Sequence, residues 1–199
     1  MTLKKLIESR YATKLFSGET IDEKKINEIK EAMRLAPSGF NIQPWKIKVV
    51  TDQKIKDLLT AAAWNQPQVK TASHVFVICA DTAVDKRIDE LVAGITKKGA
   101  KMEHIQAYVD MMRGWAKQLS QADKTEWAKR QTFIPLSFGM LAAKELGYDS
   151  CPMEGFSAAD FSKILKLPAN LVPTVLMPVG VAADTARPKF RFDSKDVFS

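Results

Sequence analysis

Val75-Phe76-Val77-Ile78-Cys79-Ala80 is an unbroken apolar run of strand length. A strand with no polar face has to be covered on both sides, so this segment belongs at the centre of a sheet with other elements packed above and below it. Two kinds of neighbour are legible. Trp45, Ile47 and Val49 alternate with Lys46 and Lys48, the pattern of a half-buried strand, and residues 148–152 and 175–182 read as further short strands. The remainder is mostly helical in period. Leu3, Leu6 and Ile7 suggest a short first helix running out near residues 8–11. Thr20-Ile21-Asp22-Glu23 resembles a capping box ahead of Ile26, Ile29, Met33 and Ala36, with Pro37 as the stop.

Thr51 or Asp52 can cap a helix whose stripe is Ile55, Leu58, Leu59 and Ala62, and Asn65-Gln66-Pro67-Gln68 then reads as a loop. Residues 85–121 are helical with an interruption near Gly99, and residues 125–146 form another long helix with Gly147 as its left-handed cap. Pro135 falls inside that helix, so it either kinks there or is compensated by its buried face. A short helix is expected over residues 158–165, and residues 183–199 show neither period. Long helices separated by short strands favour an α+β fold over a regular parallel α/β wheel. At 199 residues the chain is read as a single domain over 1–199.

Composition removes several function classes. The longest apolar run, residues 171–183, is broken by Pro173 and Pro178 well short of the ~20 residues a membrane span needs. Glu8 and Arg10 interrupt any signal-peptide core, so a cytoplasmic location with no membrane contact is expected. The net charge of +7 favours phosphates and carboxylates as partners, but the charges are mixed and no nucleic-acid motif appears, so no nucleic acid is expected. Cys79 and Cys151 lack metal-ligand spacing and read as buried small side chains, and no metal site is expected. With only His74 and His104, acid–base chemistry is restricted. No nucleophile elbow, P-loop or Gly-x-Gly-x-x-Gly fingerprint is present. What remains is binding, or catalysis in which a cofactor carries the chemistry and the protein places it.

Ala36-Pro37-Ser38-Gly39-Phe40-Asn41-Ile42-Gln43-Pro44-Trp45 closely resembles the Ala-Pro-Ser-x-x-Asn-x-Gln-Pro-Trp signature of the nitroreductase family. Four further segments match in order and approximate spacing. Arg10-Tyr11-Ala12-Thr13-Lys14 is similar to the family's Arg-x-Ser-x-Lys element that holds FMN phosphate and flavin ring, with Ala12 where serine is common. Asn65 and Gln68 stand where the family has an amide and often a lysine beside the flavin pyrimidine. Cys151-Pro152-Met153-Glu154-Gly155-Phe156 resembles Pro-x-Glu-Gly-Phe, whose Glu-Gly amides reach flavin N5. Arg187-Pro188-Lys189-Phe190-Arg191 resembles the family's basic clamp on the phosphate.

The resemblance therefore implies a nitroreductase-like fold: a central, mostly antiparallel or mixed sheet flanked by long helices, with a C-terminal arm exchanged in a homodimer. It implies FMN held by Arg10, Tyr11, Ala12, Lys14, Ser38, Gly39, Asn41, Asn65, Gln68, Pro152, Met153, Glu154, Gly155, Lys189 and Arg191, with residues 38–41 donated by the other subunit. NADH or NADPH would be the hydride donor in a ping-pong cycle ending on a small oxidised acceptor such as a nitroaromatic or quinone. No side chain is assigned as a catalytic acid or base. A flavin or dihydropteridine reductase would share every motif, and a flavin-binding protein without turnover would share the binding motifs. Tyr108, Met111, Met112 and Trp115 fit a substrate-side lining or the core equally well.

Overall fold

The computed structural model describes residues 2–199, and the apolar run occupies the position its composition demands. The elements in chain order are α1 (Leu3–Ser9), α2 (Glu23–Arg34), β1 (Trp45–Val50), α3 (Gln53–Ala62), α4 (Pro67–Thr71), β2 (His74–Asp81), α5 (Val84–Lys97), α6 (Met102–Gln118), α7 (Gln121–Gln131), α8 (Phe133–Glu145), β3 (Asp149–Ser150), α9 (Ala158–Ile164), β4 (Leu171–Gly180) and α10 (Ser194–Val197). The sheet order is β1-β2-β4-β3, and every ladder in it is antiparallel. All residues of β2 are buried, and the strand's twofold alternation divides them. Val75, Val77 and Cys79 pack with Leu59, Val69, Ala72 and Phe161 on one face. Phe76 and Ile78 pack with Ile26, Ile29, Met33 and Leu136 on the other. Burying each such side chain contributes ~1.5–3 kcal/mol, so both helical layers depend on this strand.

β4 passes through two prolines in the interior of the sheet. Pro173 sits beside a register shift opposite Ile78 and Cys79, the irregularity at which a missing donor is tolerated. Pro178 faces β3, where its carbonyl accepts the Cys151 N–H at 3.1 Å; its absent N–H would point past the end of that two-residue strand.

Several local expectations are corrected. Asp22, rather than Thr20, caps α2, accepting from Lys24 N at 2.7 Å, and of the two candidates for α3 it is Asp52 that caps, accepting from Ile55 N at 2.9 Å. In α3 Leu58 is exposed and Lys56 is buried, because the inward stripe is residues 56, 59, 60 and 63. The Lys56 ammonium satisfies itself on the Ala72 carbonyl at 2.7 Å. Pro67 begins α4 instead of holding a loop, since a proline at the first helical position gives up only an N–H that has no intrahelical acceptor. The expected helix over 125–146 is two helices meeting at Thr132. Pro135 thus lies in the first turn of α8, where neither kink nor compensation is needed. Gly147 adopts the left-handed conformation expected of it, with φ of 88°, and Gly99, at the expected interruption, has φ of 99°. Among the described residues no helix is long and apolar enough to cross a membrane.

The sheet has two distinct ends. Residues 15–17 pair with 181–183 at the His74 end, where β4 leaves the sheet. The connection from α2 to β1 lies at the other end, where Asp81 N donates to Pro44 O. At ~3.4 Å per residue the length of β2 separates them by on the order of 20 Å.

Candidate flavin-binding site

At the His74 end, the segment after α1 and the chain beyond β4 enclose a cavity of about 630 Å³ lined by Arg10, Tyr11, Ala12 and Lys14 on one side and Asp184, Thr185, Arg187, Lys189 and Arg191 on the other. The segment is placed by a parallel bridge between Ala12 and Ser150 and by an antiparallel one between Phe16 and Ala182. Gly180 is needed beneath it, because a Cβ there would come within 2.7 Å of the Phe16 ring. Beyond β4 the chain is fastened again by Lys189, whose ammonium donates to the Ile7 and Glu8 carbonyls of the last turn of α1. The two basic segments that are 170 and more residues apart in sequence therefore face one volume.

The cavity's electrostatics are unbalanced. Among the described residues none of Arg10, Lys14, Arg187, Lys189 and Arg191 has a carboxylate ion-pair partner. Arg10 Nη1 is buried without an acceptor, as are Thr13 Oγ1 and Ser150 Oγ of the paired strand. Burial, and then the Arg191 charge, lower the Arg10 pKa, and burial, followed by Arg10 and Arg191, lowers that of Lys189. Mutually repelling cations with an unpaired buried donor are what a bound dianion would relieve. Lys14 reaches from this cavity to Cys151, whose sulfur accepts from Nζ at 3.4 Å. Burial pushes the Cys151 thiol up, with Lys14 opposing, and pushes Cys79 to about 12, so both remain thiols.

From Ser150 the chain continues along β4, with Met153 N and O bonded to Leu176, and arrives at Glu154 and Gly155. Among the described residues neither the Glu154 N–H nor the Gly155 N–H has an acceptor. Gly155 is held from below: its carbonyl accepts from Gln66 Nε2 at 2.7 Å, and a Cβ would meet the Trp64 ring at 3.0 Å. The glycine is therefore required by Trp64. Gln68 is buried and donates to Gln66 Oε1 at 3.1 Å, so it supports Gly155 through Gln66. Asn65 is exposed, with φ of 58°, beside Trp64 at 54°. Glu154 is exposed and Pro152 is partly buried.

Ser38, Gly39 and Asn41 are at the far end of the sheet. Ser38 Oγ accepts from Gln43 N at 2.8 Å, Gly39 N donates to Gln131 Oε1 at 2.8 Å, and Asn41 Oδ1 accepts from Gln43 Nε2 at 3.0 Å. Phe40, Asn41 and Gln43 all have positive φ, a conformation held by Arg87, whose Nη2 donates to the Gln43 carbonyl at 3.0 Å. Phe40 packs tilted against Trp115, and Trp115 meets Trp127 edge to face. Of the four residues left open between core and lining, Met112 is core, Trp115 is in this aromatic row, and Tyr108 and Met111 are exposed. Asp184, Gln66, Trp64 and Arg87 are the structural participants that sequence reasoning missed. Gln66 could have been found as an amide flanked by Asn65 and Gln68; a lone aspartate after a strand and an arginine in an amphipathic helix carry no signal.

A family model described as the nitroreductase family matches residues 7–181, stopping short of the basic segment at 187–191. The candidate NAD(P)H nitroreductase YfkO of Bacillus subtilis is 32% identical, over 94% of this chain and 92% of its own. The crystal structure of the candidate nitroreductase YdfN of Bacillus subtilis superimposes with a TM-score of 0.91 at 26% identity, over 98% of this chain and 97% of that one. That of a candidate NAD(P)H:FMN oxidoreductase of Staphylococcus epidermidis gives 0.91 at 25% identity, over 100% and 95%. Motif, fold and extent agree, and the chain belongs to the nitroreductase family.

Proposed function

We propose that this chain is an FMN-dependent oxidoreductase that takes hydride from NADH or NADPH and passes it, in a ping-pong cycle on a homodimer, to a small oxidised acceptor such as a nitroaromatic or quinone. The observation that carries the reading is the cavity whose cations lack carboxylate partners and whose Arg10 Nη1 is buried without an acceptor. The names of YfkO and of the Staphylococcus epidermidis protein point to the same chemistry.

FMN, when bound, supplies two-electron transfer at flavin N5. The chain's residues bind and orient it. Arg10 with Lys189 and Arg191 neutralises the phosphate, and a guanidinium can donate two hydrogen bonds to it at once. Lys14, propped on Cys151, holds positive charge between the phosphate corner and the ring. The unpaired N–H groups of Glu154 and Gly155 present donors to N5 and its neighbouring carbonyl, held in place by Gln66 and Gln68. Asn65 offers an amide to the pyrimidine edge. Residues 38–41 lie too far off to reach this cavity within one chain, which supports their serving the site of a second copy. Phe190, Phe192, Val197 and Phe198 are largely exposed in the single chain and would be covered by that copy.

The purified protein should show a flavin absorption spectrum that bleaches on anaerobic addition of NADH or NADPH, and mass spectrometry should identify the released cofactor as FMN. A flavin spectrum that persists under both nucleotides would make it a binding protein without turnover. Recovery of FAD alone would remove the phosphate assignment.

A further inference from the structure

Asp184 is the one carboxylate in the cavity's wall, and it pairs with none of the cations there. Its bonds run elsewhere. Oδ2 accepts the Lys14 backbone N–H at 2.7 Å, while Oδ1 at 3.1 Å and the main-chain carbonyl at 3.0 Å lie within hydrogen-bond reach of the Tyr11 hydroxyl. These contacts extend a ladder. Ser17 N donates to Val181 O and Ala183 N to Leu15 O, and just past that backbone pairing the Asp184 carboxylate takes the N–H of Lys14, at the bend that precedes it. After Asp184 the chain has no regular structure until α10, and its next side-chain tether to the body is the Lys189 ammonium on the end of α1. Asp184 is thus the last fixed point before the basic segment.

We propose that Asp184 is a positioning residue for the phosphate grip: it pins the root of the C-terminal arm to residues 11–14, so that Arg10 and Lys14 face Arg187, Lys189 and Arg191 across one ligand. The inference rests on the FMN reading above. It assigns Asp184 no contact with the ligand, since its oxygens are engaged by the N-terminal segment. A carboxylate placed among cations would ordinarily pair with them and weaken an anion site. Tying Oδ2 to an amide, with the phenol shared between Oδ1 and the main-chain carbonyl, keeps the arm in place while leaving the cations for the phosphate.

Two ligands separate this from other roles. Riboflavin has the flavin ring but no phosphate, so an arm that grips phosphate matters to FMN and not to riboflavin. Dissociation constants of FMN and riboflavin are measured by fluorescence quenching for wild type, Asp184→Ala, Asp184→Asn and Tyr11→Phe. Asp184→Ala should weaken FMN about tenfold or more and leave riboflavin within about twofold, since the lost bonds are individually worth ~1.4 kcal/mol, the equivalent of tenfold. Asp184→Asn, whose amide oxygen can still accept from Lys14 N–H, should recover most of the FMN affinity. Tyr11→Phe, which keeps that bond, should lie between wild type and Asp184→Ala. Tighter FMN binding in both Asp184 variants would show that the residue acts as a repelling charge and overturn the proposal. Unchanged FMN affinity would overturn it, as would equal losses for FMN and riboflavin. Failure of the FMN reading is a separate result: wild type itself would then bind FMN no better than riboflavin.

Discussion

The two regions that carry the motifs are built in opposite ways. Around the cavity at the His74 end of the sheet, charged and polar atoms are left over: cations without carboxylates, and Arg10 Nη1, Thr13 Oγ1 and Ser150 Oγ buried without partners. In residues 38–43, at the other end, the loop's own polar atoms are mostly engaged within the chain, and the buried atom left without a partner beside them is Arg87 Nε. Ser38 Oγ, Gly39 N and Asn41 Oδ1 each have a partner, and Arg87 Nη2 grips the Ile42 and Gln43 carbonyls behind them. A region with unsatisfied donors is shaped for a ligand, whereas one with satisfied donors is shaped to hold its own conformation. Substitutions in the first should therefore change affinity and spare stability, and substitutions in the second should do the reverse.

The largest expected effect tests the first half of that contrast. Lys189→Ala and Arg191→Ala each delete a charge-assisted hydrogen bond to phosphate worth roughly 1.5–3 kcal/mol, so FMN should bind tenfold or more weakly in a fluorescence titration. The denaturation midpoint without flavin should stay close to that of wild type for Arg191→Ala, because Arg191 bonds only to the neighbouring Phe190 carbonyl. Lys195→Ala, which is in α10 and outside the cavity, should change neither quantity. Equal FMN affinity in wild type and both clamp variants would reduce the basic tail to a solvated one.

A smaller effect tests the second half. Ser38→Ala leaves the Gln43 N–H without its acceptor in a partly buried loop that holds three residues at positive φ, and should lower unfolding free energy by about 1 kcal/mol. In the flavin-free protein this is read from chemical denaturation. A variant as stable as wild type but with weakened FMN binding would show that Ser38 belongs to the ligand after all, and would erase the contrast.

The smallest effect asks whether the two ends respond differently to acid. His74 is buried at the cavity end, where Ser73 Oγ lies 2.9 Å from its Nδ1, and burial lowers its pKa, with Glu23 opposing and Lys30 and Lys56 adding to the fall. Below the ordinary histidine value of ~6.5 the unfolded chain takes up a proton that the folded chain refuses. Stability should hold above that pH, fall as pH drops towards the lowered folded value, and level off below it. Substituting His74 by Asn should flatten this slope whatever it does to overall stability. A His74→Asn variant whose stability kept the full slope would place the acid response elsewhere.

Much of this was legible in one dimension, for identifiable reasons. The six apolar residues from Val75 announce a central strand because no polar face is available, and the lysines of β1 announce a strand with one face in water. The string from Ala36 to Trp45 carries the family, since a loop with fixed prolines, a glycine and placed amides repeats as a unit. Local signals were less secure where two readings shared the same residues. Thr20 and Asp22 both look like caps, and only the chain's path at Ile21, whose N–H bonds to Ser73 Oγ, decides between them. Pro135 reads as a defect until the break at Thr132 makes it a beginning. Lys56 looks exposed by type and is buried by position, because the Ala72 carbonyl that satisfies it comes from the chain just after α4.

What the sequence by itself determined is the family, the α+β layout and the candidate residues, because each depends on side-chain type and short-range spacing. What only the tertiary structure decided is which of those residues share a volume. Arg10 and Arg191 meet, and Ser38 is carried to the opposite end, because the strand order β1-β2-β4-β3 sends the two chain ends out at one end of the sheet and the first crossover at the other. Asp184 acquires its partners in the same way. An acceptor oxygen is generic in sequence, and becomes specific only when the ladder of residues 15–17 and 181–183 runs out beside it.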